Sequence, residues 1–231
     1  MELLSLVLAR LPGRFATELG IDVQAGPEAR QKWFLAAILY GARISGNLAA
    51  RTYRVFRDKG IYTPEAILEQ GWDNLVVLLD AGGYARYDFK TATKLLKVMG
   101  SLKEQYQGSL ERLHDVAADG LDLEQRLQDL APGIGPATAN IFLRELRGVW
   151  PKANPCLSSL AQLAGEHLGL LAPGLGPGAA LAALEAEWRR QPAAVPHDFA
   201  DLEAALVRLG RDHCRKPLGP PCPMEAYCGR R

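Results

Sequence analysis

The stretch Leu130-Ala131-Pro132-Gly133-Ile134-Gly135-Pro136-Ala137-Thr138-Ala139-Asn140, running into Ile141-Phe142-Leu143-Arg144-Glu145-Leu146, decides how the chain is read. Leu123, Leu127 and Leu130 recur at helical spacing before it, and Ile141, Phe142, Leu146 and Val149 do so after it. Two helices therefore flank a tight Pro-Gly-x-Gly turn. Gly133 and Gly135 carry no Cβ, so the backbone can turn sharply there and approach a ligand closely. The second helix is expected to start at Pro136, presenting N–H groups without intrahelical acceptors and the positive end of the helix dipole. An anion suits such an end. In duplex DNA that anion is a phosphate, gripped by main-chain amides without any reading of sequence. The competing reading is an ordinary glycine turn between two packed helices.

With Pro132 ahead of it and Thr138-Ala139 behind it, the turn resembles the helix-hairpin-helix of the base-excision DNA glycosylase superfamily (HhH-GPD) typified by endonuclease III and the adenine glycosylase MutY. The family wording is Leu-Pro-Gly-Val-Gly, two variable positions, then Thr-Ala, and Ala131 replaces the leucine here. Tyr84 to Ala92 loosely resembles the family's Gly-Tyr-x-x-x-Lys-Ala segment. The resemblance implies an all-α, two-lobed fold with a cysteine-rich C-terminal loop. Residues 31–150 would form the central helical domain carrying the hairpin, residues 1–30 plus 151–231 the second lobe, and DNA would lie between them.

The same resemblance implies an activity: extraction of a damaged base and cleavage of its glycosidic bond. Family enzymes use an aspartate shortly after the hairpin's second helix to stabilise the developing cation or orient the attacking group. Members that also cut the strand use a hairpin lysine as covalent nucleophile. The lysine position falls on Ala137, which excludes Schiff-base cleavage by the usual residue. The aspartate position falls in Lys152-Ala153-Asn154-Pro155-Cys156, nearest to Asn154, an amide with almost the shape of a carboxylate but no charge. Asp198 and Asp201 are alternative acids by residue type, and Asn154 also reads as a helix N-cap or turn residue ahead of Pro155. Cys156 reads as a buried apolar cysteine sooner than a nucleophile, because no base can be placed beside it. Where the family inserts a polar wedge, commonly Gln, into the gap left by the base, the loop reads Gly41-Ala42-Arg43-Ile44-Ser45. Arg43 is the one large substitute there, or else a surface arginine.

The tail from Gly210-Arg211-Asp212-His213-Cys214 to Pro221-Cys222-Pro223-Met224-Glu225-Ala226-Tyr227-Cys228 resembles the family's iron–sulfur loop. Cys214, Cys222 and Cys228 match the first, third and fourth ligands of a 4Fe-4S cluster, and the second falls on Gly219. A cubane normally takes four thiolates. The fourth ligand is open between Asp212, His213 and a solvent group, with zinc or free thiols as the other readings. In the family this cluster shapes a basic loop against DNA, a charge that Arg211, Arg215, Lys216, Arg230 and Arg231 would supply here.

At 231 residues the chain can bury a substantial core as one large domain or two small ones. A net charge of +1 and a pI near 7.7 do not announce a nucleic-acid binder, so such a surface must come from local clustering. Three clusters stand out: Arg51, Arg54, Arg57 and Lys59; Lys90, Lys94, Lys97 and Lys103; and Arg144, Arg147 and Lys152. Taken singly, each is also what a solvated helix face looks like. Leu3 to Ala9 is neither a signal peptide nor a membrane span, and a monomeric cytoplasmic protein is expected.

Other stretches fill in the helices. Trp33 to Tyr40 reads as a core helix broken near Gly41, and Thr63-Pro64 as a helix N-cap and first position. Leu75 to Leu79 reads as a buried helix ending at glycine, since no partner strand is near. Leu171-Ala172-Pro173-Gly174-Leu175-Gly176-Pro177 nearly repeats the hairpin wording, as a second hairpin or a long structural loop. The function expected is a DNA glycosylase of base excision repair, acting on double-stranded, lesion-bearing DNA without strand cleavage. The alternatives are a non-catalytic damage-recognition module and a structural protein in which hairpin and tail are relics. Gly133, Gly135, Ala137, Thr138, Arg43 and Arg144 are the expected DNA-binding residues.

Overall fold

The computed structural model describes residues 3–191, 197–215 and 221–229, and among them every regular element is a helix. In chain order these are α1 (Leu3–Arg10), α2 (Phe15–Glu18), α3 (Pro27–Tyr40), α4 (Gly46–Asp58), α5 (Pro64–Gly82) and α6 (Asp88–Tyr106). They continue with α7 (Leu110–Val116), α8 (Gly120–Asp129), α9 (Pro136–Arg144), α10 (Ser159–His167), α11 (Pro177–Arg189) and α12 (Phe199–Leu209). A π-helical turn, Gly210–Cys214, extends α12, and a short 3-10 turn covers Glu225–Tyr227. None of the described helices is long and apolar enough to cross a membrane. The chain divides into two compact units, Leu19–Pro155 and the pair of segments Met1–Glu18 with Cys156–Arg231.

The unit Leu19–Pro155 is built around α3. Its run Trp33 to Leu39 is at most 1% exposed at every position, as a helix apolar all round must be. The indole N–H of Trp33 donates to the Phe142 carbonyl at 3.1 Å. Phe34 meets the Phe142 ring edge-on with centroids 5.0 Å apart, and Trp150 meets that ring from another side at 5.6 Å. These contacts fix α9, the hairpin's second helix, against the core of its unit. The Leu75 to Leu79 run is helical, with Leu75, Leu78 and Leu79 buried in α5. Thr63 caps that helix through its hydroxyl, 3.2 Å from the Ala66 N–H, with Pro64 at the first position.

The other unit is organised on α12, whose N-terminus carries a reciprocal capping box. The Asp198 carboxylate accepts from the Asp201 N–H at 3.1 Å, and the Asp201 carboxylate accepts from the Asp198 N–H at 2.9 Å. Arg14 donates to both carboxylates. Arg208 binds Glu18 at 2.6 Å and the Gly13 carbonyl while lying over the Phe15 ring at 4.5 Å, so the α1–α2 segment is tied to α12 at two places. Gly210 lets α12 meet α10 backbone to backbone: a Cβ at this position would lie 2.1 Å from the Leu160 carbonyl oxygen. The glycine of the Gly-Arg-x-x-Cys wording is thus required by helix packing.

Candidate nucleic-acid interface and catalytic position

The hairpin is formed as its residues dictate. Asp119 caps α8, accepting from the Asp122 N–H at 2.9 Å, and Leu123, Leu127 and Leu130 turn inward. Gly133 sits at φ 95°, a conformation open to glycine, and the Ile134 N–H closes the turn on the Ala131 carbonyl at 3.1 Å. Gly135 is the extended N-cap residue of α9, with no side-chain cap, and Pro136 takes the first helical position. Thr138 and Ala139 both donate their N–H groups to the Gly135 carbonyl. Ala131, Ile134, Thr138 and Ala139 are buried, whereas Pro132, Gly133, Pro136 and Ala137 are exposed. The apolar half anchors the turn and the other half presents the positive end of α9 to solvent.

Thr138 therefore does not offer its hydroxyl outward. It packs against the end of α3, where a Cβ on Gly41 would lie 2.1 Å from Thr138 Oγ1. The loop Gly41 to Ser45 thus starts against the hairpin's second helix, and Arg43 is exposed within it. Ser45 ends the loop by capping α4, accepting from the Leu48 N–H at 3.2 Å.

Tertiary structure separates the three basic clusters. Arg144 and Arg147 are 8% and 6% exposed, so Arg144 lies in the unit's interior. Arg147 donates to the Asn154 side-chain oxygen and to the Pro155 carbonyl. Lys152 donates to the carbonyls of His114 and Asp115 at 2.8 and 3.0 Å, satisfying the C-terminal end of α7. In the first cluster Arg51 donates to the Gly82 carbonyl at 2.7 Å and Arg57 pairs with Asp58. Lys90, Lys94 and Lys97 of α6 make no ion pair among the described residues. Lys94 reaches the hairpin, its Cδ lying 3.3 Å from where a Cβ on Gly133 would stand. Burial holds the Lys94 ammonium below its usual pKa.

At the position where the resemblance expects an aspartate, the structure brings an amide and a guanidinium together. Asn154 is exposed in the segment after Trp150, with its side-chain oxygen engaged by Arg147. It is not a helix N-cap: that role in α10 belongs to Ser158, whose hydroxyl accepts from the Ala161 N–H at 3.2 Å. Asp198 and Asp201 are not spare acids, because capping and Arg14 engage both. Burial raises the Asp201 carboxyl, but the Asp198 N–H and the Arg14 guanidinium outweigh it and hold the group below its usual range. Glu124 on α8 is a carboxyl that no motif marked: burial raises its pKa, and Arg147 partly offsets the rise. Cys156 is exposed, correcting the expectation of a buried thiol, and its sulfur lies 4.0 Å from where a Cβ on Gly178 would stand.

The tail is held by polypeptide contacts. Arg10 donates to the Pro223 carbonyl and lies over the Tyr227 ring at 5.7 Å, Met224 is fully buried, and the Gly229 N–H donates to the His167 carbonyl at 2.7 Å. Arg211 pairs with Asp212 at 2.7 Å and lies over Phe15 at 5.4 Å, so neither is an idle group of the loop. Cys214, Cys222 and Cys228 are half-buried and in no disulfide. No three His, Cys, Asp or Glu side chains gather to hold a metal among the described residues. Gly219, at the second-ligand position, and Lys216, Arg230 and Arg231 lie outside those residues. Three thiols alone do not make the set that a four-iron cubane takes.

The repeat of the hairpin wording is also a repeat of backbone. Gly174 sits at φ 79°, Gly176 is an extended N-cap without a side-chain cap, and Pro177 opens α11.

Neither protein-family models nor curated proteins give a match to the sequence. Among solved structures, the chain is similar to an endonuclease III trapped as a covalent intermediate with DNA, in an estranged-adenine complex. The TM-score is 0.54 at 18% identity, over 85% of this chain and 82% of the other. The chain has the all-α fold of endonuclease III.

Proposed function

We propose that this chain binds duplex DNA through the turn Ala131 to Thr138 and the loop carrying Arg43, and acts as a base-excision N-glycosylase that does not cut the strand. The observation that carries the reading is the exposed, side-chain-free N-terminus of α9, held rigidly by buried Ile134, Thr138 and Ala139. A phosphate completes such an end. Arg43 is the side chain to fill the gap left by an extracted base. In the reaction a water oxygen bonds to the sugar C1′, the C1′–N bond breaks, and the proton ends on the departing base. Ala137 offers no amine, so no imine forms at that position.

A second reading, recognition without turnover, draws on the hydrogen bond from Arg147 to Asn154. An amide oxygen already engaged by a guanidinium carries no charge with which to stabilise a developing cation. Base release from a panel of lesion-bearing duplexes, revealed by alkali, decides between the two. Release by the chain itself supports the enzyme. Release confined to Asn154→Asp supports the recognition module and marks position 154 as the site of its lost charge. No binding to any duplex, with or without a Gly133/Gly135 double substitution, sinks both.

A further inference from the structure

Lys90, Lys94 and Lys97 stand at i, i+4 and i+7 on α6. At 3.6 residues per turn they fall within an arc of about 60° on one side of the helix. Their backbone positions span about 10 Å along the axis, close to three nucleotide steps of about 3.4 Å measured along the duplex axis. Of the acids on α6, Asp88 lies on another face, and Glu104 lies two turns beyond Lys97. The middle lysine is the informative one. Its stem packs against Gly133 of the hairpin turn, and its ammonium has lost hydration to burial without gaining an anionic partner among the described residues. A desolvated cation without a partner is unfavourable in the isolated protein and favourable once an anion arrives.

We propose that Lys90, Lys94 and Lys97 form a ridge that carries the phosphates of one DNA strand past the hairpin, with Lys94 and the α9 N-terminus sharing a phosphate. This rests on the hairpin being the DNA-binding element. The ridge adds affinity without reading bases, because lysines on phosphates position a duplex and do not specify its sequence.

The test is duplex binding by fluorescence anisotropy across a salt series, using undamaged DNA. Each lysine that neutralises a phosphate contributes about 0.9 to the slope of log K against log salt. Lys94→Gln is expected to lower the slope by about one such unit and the Lys90→Gln/Lys97→Gln pair by about two. Lys94→Arg should keep the wild-type slope. Lys103→Gln is the control, since Lys103 lies about 180° around α6 from Lys94 and should change nothing. Lys90 and Lys97 are exposed, so the paired variant tests the ridge without touching packing. An unchanged slope in Lys94→Gln and in the pair, with binding still lost on Gly133/Gly135 substitution, overturns the ridge and leaves the hairpin reading standing. Binding indifferent to both the lysines and the glycines overturns both.

Discussion

A carboxylate at position 154 would meet the guanidinium that now donates to the Asn154 side-chain oxygen and the Pro155 carbonyl. Opposite charge at that distance favours the ionised form. Asn154→Asp is therefore expected to titrate below the ordinary aspartate value of about 3.9, read from the carbon-13 shift of the introduced carboxyl against pH. A midpoint at or above that value would mean that Arg147 does not hold the side chain. Gly41 makes a second residue-scale case. Alanine there would place its Cβ 2.1 Å from Thr138 Oγ1 and 3.1 Å from Thr138 Cβ, with the Ala37 carbonyl oxygen at 3.3 Å. Gly41→Ala should cost about 1–3 kcal/mol in urea unfolding, as overpacking does. Thr138→Ala in the same chain should recover part of the loss, giving a coupling term in the double-mutant cycle. Equal losses with no coupling would deny the contact.

At the scale of elements, helix starts were legible because capping is local chemistry: Thr63-Pro64 opens α5 and Gly135-Pro136 opens α9 as their residue types require. The apolar run in α3 was equally plain. The contacts that hold the tail were not, since Met224, Arg10 and the His167 carbonyl join partners far apart in sequence. Those contacts predict an order of effects. Met224→Ala removes a fully buried side chain and should cost about 2–5 kcal/mol. Cys228→Ser changes a half-buried thiol in no disulfide and should stay within about 1 kcal/mol. Thermal unfolding of the two variants measures the difference, and a Cys228→Ser loss equal to that of Met224→Ala would mean that ligation by the thiol holds the tail.

For the whole molecule, net charge decided little because it counts cations without saying where folding sends them. Arg144, Arg147 and Lys152 read from sequence like the α6 lysines, yet the first three are buried or spent on Asn154 and on main-chain carbonyls. Nothing in a helical period distinguishes the two fates, because the acceptors are brought in by loops. Position 154 stood out in the sequence; its guanidinium partner did not. The same sorting of charge sets the acid limit of the unit organised on α12. Asp201 has a folded pKa below its ordinary value of 3.8, so the folded state binds fewer protons than the unfolded one just below that pH. Its contribution is therefore fully present above about 3.8 and is lost as pH falls through the lower, folded value. Arg14→Met removes the partner of both Asp198 and Asp201 and should lower stability by about 1–3 kcal/mol at pH 6. The gap between wild type and variant should hold constant down to about pH 4 and close below it. Hydrogen-exchange protection of the α12 amides, taken as a pH series, reads this within its own unit. A gap that widened on acidification would reverse the sign and remove Arg14 as the cause of the depressed carboxyl.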